Sequence, residues 1–557
     1  MRRANTMLLR TLPALAVLVS SHSGAQVPGN QARYVVAPVR IDRDLDLTGS
    51  LADTAWNSAP TIQCPFEIFP GENIPAKRRT RVKVLYNSRY LYFGFACEDS
   101  DAAAIRAHLT DRDNIFQDDF VFVAIDPFRN NQRAYEFVTN PYGVQGDLMR
   151  TGNNEDASWD AVWYSKGAVS DTGYTVEIAI PFQSLHFPSA EIQDWSVMIL
   201  RIYPRESRYQ MSWTSFDRND PCSICQGGTV KGLQGLQSTA AFEVLPYIMG
   251  FQSGSLNDAG NPSSGFVNGK VGGRAGAGLR YSPNPSTSLE AVANPDFSQV
   301  ESDAAQISVN TTFAIFYPEK RPFFMNGADL FTTPMADFYS RMINNPLGAA
   351  KFITKTHGLT LAYLAAEDRN SPFIIPGEEG SRFQESSLRS FSNVLRAKYE
   401  FGTESYVGAI GTGRNFSDAH NYTAGLDWNL YFGQNYSFLG QALFTGTREV
   451  NDTSLFSDTT FYGTTGRTKR LDGEEFSGAG LYTQFRRDAR NYSFRVSYQD
   501  LPSTFQAQDG FITANDLKTV DAAHDYAWYP MGSVVETADL FMEGVLHFNH
   551  DDVRKER

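Results

Sequence analysis

Residues 422–432 read Tyr-Thr-Ala-Gly-Leu-Asp-Trp-Asn-Leu-Tyr-Phe and alternate between two kinds of side chain. One set is mostly large and apolar, and the other is small or polar except at Tyr431. A period of two places the sets on opposite faces of an extended strand. About ten residues of a tilted strand cross the hydrocarbon core of a bilayer, so the length suits a membrane-crossing strand. Residues 394–401 and 492–499 repeat the pattern, with polar or charged residues on the second face except at Val394.

The connections between these segments alternate between short and long. Residues 402–404, 433–435 and 488–491 form short turns, whereas 413–421 and 448–475 are longer. Outer-membrane barrels place short turns on one side of the membrane and long loops on the other. The downstream half therefore predicts a transmembrane antiparallel β-barrel of about a dozen strands, with apolar faces toward lipid and polar faces inside. A secreted all-β protein rich in aromatic residues is the alternative that this pattern leaves open.

The upstream half has shorter strands separated by turn residues. Six strands are predicted, at 81–86, 90–97, 120–126, 134–139, 174–180 and 195–202. No long amphipathic helix interrupts them, so this half predicts a β-sandwich. We interpret Trp56, Trp195 and Trp213 as core residues, because a tryptophan in a sandwich is more often buried than exposed.

Residues 1–25 are typical of an export signal. Three arginines precede an apolar run that is too short to span a bilayer, and small residues follow it. Thiols outside the cytoplasm tend to be oxidised, so the four cysteines are first of all disulfide candidates. The spacing of Cys222 and Cys225 predicts a local disulfide in a structural loop rather than a redox or zinc site. The pairing of Cys64 and Cys97 stays open.

The composition excludes one class of partner. Lys and Arg number 49 against 62 Asp and Glu in 557 residues, which gives a formal net charge of −13. Such a surface repels nucleic-acid phosphates, so we expect no nucleic acid as a partner. Aromatic residues make up 13% of the chain and charged residues 20%, proportions typical of a folded protein.

Two groups of motifs carry a family resemblance. The upstream group consists of Gly49-Ser50-Leu51-Ala52-Asp53-Thr54-Ala55-Trp56, Leu91-Tyr92-Phe93-Gly94-Phe95, Asp118-Asp119-Phe120-Val121, Trp159-Asp160 and Ile180-Pro181-Phe182. It resembles the family 9 carbohydrate-binding-module-like domain. The downstream group consists of Asn294-Pro295-Asp296-Phe297-Ser298-Gln299-Val300-Glu301 and Pro318-Glu319-Lys320-Arg321-Pro322-Phe323-Phe324. It resembles the outer-membrane barrel of unknown function that usually follows such a domain. Those barrels usually continue beyond this length, so the resemblance leads us to expect a C-terminally truncated barrel.

Taken with the export signal, the resemblance implies an all-β architecture. It comprises a signal peptide at 1–25, a family 9 carbohydrate-binding-like β-sandwich of jelly-roll type at 26–237 and an outer-membrane β-barrel at 238–557. The implied function is carbohydrate binding by the sandwich, with the barrel serving for anchoring or for passage of glycans. The implied partners are an oligo- or polysaccharide and the lipid of the outer membrane, with the sandwich either periplasmic or on the cell surface.

Two other functions stay open. One is an enzyme that hydrolyses O-glycosyl bonds in carbohydrate catabolism, since domains of this kind often accompany carbohydrate hydrolases. The other is a structural envelope protein without a ligand. No catalytic residue can be assigned, because the sequence contains no G-x-S-x-G or H-E-x-x-H motif and its many acidic residues identify no pair.

Sugar recognition needs flat apolar faces that stack on pyranose rings and planar polar groups that hydrogen-bond hydroxyls. Trp159 and Trp163 suit the first need, since in an extended segment they point to the same side. Asp119, Asp160 and Arg112 suit the second need. The alternative is that both tryptophans belong to the core.

Two charged clusters complete the candidates. One group of acidic residues comprises Asp99, Asp101, Asp111, Asp113, Asp118 and Asp119. A calcium site is one interpretation of this group, and a solvated acidic surface is the favoured interpretation. We expect no other metal or cofactor. The run Glu319-Lys320-Arg321 would be costly facing lipid, so we expect it in the barrel lumen, paired with acids such as Asp296 or Glu301.

Overall fold

The computed structural model describes residues 33–152, 154–157, 159–236, 241–258, 260–295, 313–356, 358–402, 404–462, 464–530, 534–535 and 537–555. The predicted export signal lies outside the described residues, and so do Asp296 and Glu301.

The upstream region contains sixteen strands among the described residues. They are β1 (Val35–Val36), β2 (Val39–Arg40), β3 (Thr61–Gln63), β4 (Phe66–Phe69), β5 (Ile74–Pro75), β6 (Thr80–Tyr86), β7 (Tyr90–Glu98), β8 (Phe120–Asp126), β9 (Arg133–Thr139), β10 (Gln145–Thr151), β11 (Asn154–Asp156), β12 (Tyr164–Ser170), β13 (Gly173–Pro181), β14 (Ile192–Pro204), β15 (Arg208–Ser212) and β16 (Gly228–Gln234). Short 3-10 turns lie at Thr54–Asn57, Ala102–Ala104, Phe182–Ser184 and Ile224–Gln226.

These strands form two sheets packed face to face. The larger sheet has the order β11-β10-β9-β8-β14-β15-β4-β5, with β16 beside β14 and β1 beside β16. The smaller sheet has the order β12-β13-β7-β6-β2, with β3 beside β6. Alternate side chains of both sheets, such as Phe93 and Val123, fill the core between them. All six predicted strands are present, each within about three residues of its predicted bounds. The sandwich is therefore confirmed.

The predictions for tryptophan and cysteine residues can be checked in the same region. Trp56, Trp195 and Trp213 are buried, as predicted. Cys222 and Cys225 form the predicted local disulfide. The other two cysteines are buried free thiols.

A buried carboxylate explains why the motif at 49–56 is needed. Glu177 of β13 is fully buried and accepts hydrogen bonds from the backbone N–H of Thr48 at 2.6 Å, the N–H of Gly49 at 2.5 Å and Nε1 of Trp56 at 2.8 Å. Gly49 has a φ of +83°, and a Cβ there would lie 2.8 Å from the backbone of Gly167. Only glycine fits such a position. The motif is thus the sequence of a loop that surrounds one carboxylate.

The downstream region contains another sixteen strands among the described residues. They are β17 (Ala241–Leu256), β18 (Phe266–Asn284), β19 (Thr287–Ala293), β20 (Pro346–Thr356), β21 (Leu359–Asp368), β22 (Phe373–Ile375), β23 (Arg382–Gln384), β24 (Ser390–Phe401), β25 (Ser405–Asn415), β26 (His420–Phe432), β27 (Tyr436–Arg448), β28 (Glu475–Arg487), β29 (Tyr492–Leu501), β30 (Leu517–Trp528), β31 (Ala538–Phe548) and β32 (Arg554–Lys555). A one-turn helix α1 (Pro322–Met325) and 3-10 turns at Ala328–Phe331 and Ser340–Met342 lie between β19 and β20.

Fourteen of these strands form one antiparallel sheet in chain order, and only β22 and β23 stand apart as a hairpin. The number exceeds the predicted dozen. The first and last strands of the sheet are not paired with each other, so the sheet is open in the described part of the chain. The predicted long loop at 413–421 is wrong, because β25 and β26 extend into it and leave only 416–419 as the connection. None of the described helices is long and apolar enough to cross a membrane.

Strand β26 tests the predicted orientation of the two faces. Leu426 on the outer face is 61% exposed, whereas the next residue, Asp427, is buried. Asp427 accepts hydrogen bonds from Arg396 of β24 at 2.5 and 2.7 Å. On that neighbouring strand Leu395 and Tyr399 are exposed on the outer face. The prediction of an apolar outer face and a polar inner face is therefore confirmed, as in outer-membrane barrels.

Residues 313–345 fill the inner side of this sheet, and we call them the inner segment. Apolar side chains of the segment, including Phe323 and Phe331, pack on inward-facing residues of the strands. The run 319–321 lies within the segment, as predicted for the lumen. Among the described residues, Arg321 binds Glu319 of the same run at 2.6 Å. Pairing with Asp296 or Glu301 stays a prediction, because both acids lie outside the described residues.

The sandwich contacts one end of the long sheet. This is the end with the short connections, at 285–286, 357–358, 402–404, 433–435 and 488–491. The contacts include Glu72 with Arg490 at 2.5 Å, Asn130 with Glu400 at 2.7 Å, and His186 Nδ1 with the carbonyl of Pro285 at 2.8 Å. The longest connections, including 369–389 and 449–474, lie at the other end of the sheet.

Candidate functional site

Arg112 links three parts of the sandwich near its edge. Its Nε and Nη2 donate to Asp147 of β10 at 2.8 and 2.6 Å, and Nη2 also donates to the carbonyl of Ala161 at 2.7 Å. Nη2 lies 3.0 Å from Asp160, whose side chain is 61% exposed. Asp147 is fully buried and also accepts from the N–H of Ala161 at 2.6 Å. Arg112 therefore fixes residues 159–161 against the larger sheet.

The two predicted stacking residues have different surroundings. Trp159 is partly exposed, and its ring centroid lies 5.2 Å from that of Tyr135 and 5.9 Å from that of Phe137. Trp163 is 3% exposed and belongs to the hydrophobic core, with its ring 5.3 Å from Phe137. A sugar cannot stack on a buried ring, so in this structure only Trp159 offers a platform. Trp163 has the position of a core residue, which was the alternative interpretation.

Asp119 lies in a separate buried network. It accepts from Nη1 of Arg205 at 2.8 Å and from the backbone N–H of Arg106 at 2.9 Å. Among the described residues it binds neither Arg112 nor Asp160. The structure thus brings together Trp159, Asp160 and Arg112, while Asp119 is paired internally.

The acidic residues considered for calcium do not converge on one point. Asp99 binds Arg205 at 2.8 Å, Asp118 accepts from Asn140 at 2.9 Å, and Asp113 accepts from a backbone N–H of β10 at 3.0 Å. In the part of the chain that the structure describes, no cluster with metal-ligand spacing includes any of the six. Their arrangement fits internally paired charges rather than a cation site.

The structure adds a feature that the sequence analysis missed, a cavity of about 520 Å³ on the outer face of the larger sheet, which we call the outer groove. Its floor is apolar and consists of Phe120, Phe122, Val138, Leu148, Met198, Leu200 and Ile202. Arg490 and Tyr529 from the short-turn end of the long sheet form part of its wall. The volume lies within the range of about 300–1,000 Å³ that is typical of small-molecule sites. The apolar runs in β8 and β14 were the signal, since strands buried on both faces lose their alternation.

One polar group in the outer groove is unusual. Glu136 is fully buried and binds Arg150, yet its Oε2 has no hydrogen-bond partner among the described residues. Burial raises the pKa of this carboxyl to about 7. The outer groove therefore combines an apolar floor with a carboxyl group whose pKa is raised to about 7.

The domain that carries these sites matches a known family. Residues 47–214 match the family described as carbohydrate family 9 binding domain-like. Residues 246–359 match a domain of unknown function, DUF5916. The chain therefore contains a sandwich that matches the carbohydrate family 9 binding domain-like family, followed by a long antiparallel sheet whose first part matches the domain of unknown function. A comparison with curated proteins finds no match.

Three solved structures illustrate the similarity. A family 9 carbohydrate-binding module from Caldicellulosiruptor kristjanssonii in complex with cellotriose is 14% identical, with 35% of this chain and 92% of that chain covered and a TM-score of 0.25. The outer membrane protein OprD from Pseudomonas aeruginosa is 9% identical, with 77% and 74% covered and a TM-score of 0.25. Pseudomonas aeruginosa OpdK with vanillate is 10% identical, with 78% and 93% covered and a TM-score of 0.24.

Proposed function

We propose that this protein is an exported outer-membrane protein that binds a saccharide at the edge of its sandwich, through Trp159, Asp160 and Arg112. The observation that carries the proposal is the fixed position of Trp159 beside an exposed carboxylate, in a domain whose family is described as carbohydrate-binding. The indole ring would stack on the C–H face of a pyranose, and the carboxylate would accept hydrogen bonds from hydroxyl groups.

The geometry favours a preorganised site. The Trp159 ring already rests on Tyr135 and Phe137, so little side-chain entropy is lost when a sugar stacks on it. Nη1 of Arg112 has no hydrogen-bond partner among the described residues, while the other nitrogens hold the guanidinium in place. Asp160 is the most exposed of the three and has the greatest freedom to adapt to a ligand.

The test is saccharide binding by the purified full-length protein. A panel of soluble glucan, xylan and mannan oligosaccharides is screened by calorimetry, and the best ligand is measured against Trp159→Ala, with Val162→Ala as the control. Val162 is an exposed apolar residue of the same segment, so its truncation changes the surface without removing the platform. We expect Trp159→Ala to weaken binding by about tenfold, corresponding to about 1.4 kcal/mol, and the control to bind normally.

Four results bear against the proposal. Failure of the unmodified protein to bind any saccharide would refute it, as would equal binding by Trp159→Ala. Loss of binding in Phe216→Ala together with normal binding by Trp159→Ala would move the site to the outer groove, which Phe216 lines. Release of reducing ends from a polysaccharide by the purified protein would show that the protein hydrolyses glycans rather than only binding them.

We also propose that the sandwich lies in the periplasm, at the periplasmic mouth of the barrel. The support is its contact with the short-turn end of the long sheet, because short turns of outer-membrane barrels are periplasmic. The test is labelling of single introduced cysteines in intact cells with a membrane-impermeant maleimide. Asp418→Cys, in the connection at the opposite end, should be labelled, and Asp171→Cys, in an exposed sandwich hairpin, only after the outer membrane is permeabilised. Labelling of Asp171→Cys in intact cells would place the sandwich outside.

A further inference from the structure

The long connection between β27 and β28 brings three carboxylates together. Its two limbs are joined by the N–H of Glu449, which donates to the carbonyl of Glu474 at 2.9 Å, and by an isolated bridge between Asn451 and Asp472. As a result, one carboxylate oxygen each of Glu449, Asp472 and Glu474 lies within 4.8 Å of the other two. Glu449 is distant in sequence from Asp472 and Glu474, which are two residues apart, but it is adjacent to them in space.

The burial of these groups points to a missing partner. Glu449 is 2% exposed, and its Oε2 has no hydrogen-bond partner among the described residues. Oδ1 of Asp472 is also buried without a partner in the described chain. A buried carboxylate oxygen without a partner is costly, so acids placed in this way indicate that something binds between them.

The charge of the cluster is only partly balanced. Among the described residues, Arg467 is the one cation within 4.0 Å, with Nη2 at 3.6 Å from Glu449 and 3.3 Å from Glu474. Its guanidinium also lies over the ring of Phe476, 3.1 Å from the centroid. Three carboxylates and one guanidinium leave a formal charge of −2. A divalent cation would neutralise that charge.

We propose that Glu449, Asp472 and Glu474 form a divalent cation site, suited to Ca²⁺, that joins the two limbs of the β27–β28 connection. The ligands are oxygen atoms only and come from an irregular loop, as calcium prefers, with water and backbone carbonyls completing the shell. The absence of histidine and cysteine from the cluster disfavours zinc. The site lies at the end of the sheet opposite to the sandwich, so it is independent of saccharide binding.

The experiment measures Ca²⁺ binding to the full-length protein in detergent micelles after EDTA treatment, by calorimetry and by protection of the connection from trypsin. Trypsin is suitable because Arg467, Lys469 and Arg470 lie in the connection. We expect about one Ca²⁺ per chain with a dissociation constant of about 1 mM or lower, and slower cleavage with Ca²⁺ present. Absence of binding heat at about 10 mM Ca²⁺ would overturn the proposal.

Variants separate this site from general acidity. Asp472→Asn and Glu449→Gln should each weaken Ca²⁺ binding by about tenfold or more, because each removes a charged ligand. Asp458→Asn is the matched control, since Asp458 is exposed in the same connection and is bonded to Thr460. Equal weakening by the control, or normal binding by both site variants, would overturn the proposal.

Arg467→Gln gives a second test with the opposite sign. If Arg467 competes with the cation for Glu449 and Glu474, its removal should strengthen Ca²⁺ binding by several fold at unchanged pH. The barrel of this variant is checked for folding by comparing the gel mobility of heated and unheated samples. If the barrel is folded and Ca²⁺ binds more weakly than to the wild type, the idea that Arg467 competes with the cation is wrong.

Discussion

Replacing Glu177 by glutamine should destabilise the sandwich strongly although it changes only one polar group. The carboxylate is fully buried and receives three N–H groups, from Thr48, Gly49 and Trp56. Glutamine has a single acceptor oxygen, so if that oxygen keeps both backbone donors, its amide N–H₂ faces Nε1 of Trp56. The hydrogen bond from Trp56 is lost, and the two bonds from the backbone N–H groups are then made to a neutral oxygen instead of a charged one.

The magnitude follows from those bonds. A hydrogen bond to a charged group contributes about 1.5–3 kcal/mol and a neutral one about 0.5–1.5 kcal/mol. One lost and two weakened bonds, offset by the easier burial of a neutral group, give a loss of about 2–4 kcal/mol in the free energy of unfolding. In a domain of this size, the melting temperature should fall by roughly 5–12 °C.

The assay is thermal unfolding of the full-length protein in detergent, followed by tryptophan fluorescence. Five of the seven tryptophans lie in the sandwich, so the signal reports mainly on this domain. Glu98→Gln is the control, because Glu98 lies on the adjacent strand and its side chain is 46% exposed. A change smaller than about 0.5 kcal/mol for Glu177→Gln, equal to that of the control, would refute the role given to this carboxylate.

Two further outcomes follow from burial and exposure. The folded state raises the pKa of Glu136 to about 7 from its usual 4.5, so the unfolded chain loses this proton at a lower pH than the folded chain. The free energy of unfolding of the wild type, measured by urea unfolding, should therefore fall by up to about 3 kcal/mol between pH 4.5 and 7 relative to Glu136→Gln. Parallel pH profiles of the two proteins would contradict the assignment. In the barrel, Leu426→Arg at mid-strand should lower the free energy of unfolding in vesicles by about 2–4 kcal/mol, and Phe432→Arg at the turn end should lower it by about 1 kcal/mol or less. Equal losses in the two variants would contradict a lipid-facing outer surface.

Patterns of local residues predicted the fold well. Alternation of apolar and polar residues at 422–432 identified both the strand and its exposed apolar face, because successive side chains of a strand point to opposite faces. The cysteine motif also depends on near neighbours. Cys222 and Cys225 are three residues apart, so their pairing requires no knowledge of the tertiary structure.

The candidate site was harder to predict because it depends on long-range contacts. Trp159 and Trp163 were expected to point to the same side, but neither belongs to a strand, since β12 begins at Tyr164. Without ladder hydrogen bonds the period of two does not apply, and Trp163 turns into the core. Asp119 is neutralised by Arg205, which is 86 residues away, and no local signal indicates such a partner.

The inner segment bears on the choice between anchoring and passage of glycans. Its side chains buried against the strands include Phe323, Phe324, Leu330 and Phe331. Its backbone is also held by inward polar residues, with Arg396 donating to the carbonyl of Leu330 at 3.1 Å and Met335 donating to Gln441 at 2.8 Å. Exposing four large apolar side chains costs about 1.5–3 kcal/mol each, on the order of 10 kcal/mol in total. Such an opening is populated in about one molecule in ten million. Under the proposed function this favours anchoring over passage of glycans, because passage would require a ligand or partner that binds the displaced form far more tightly than the packed form.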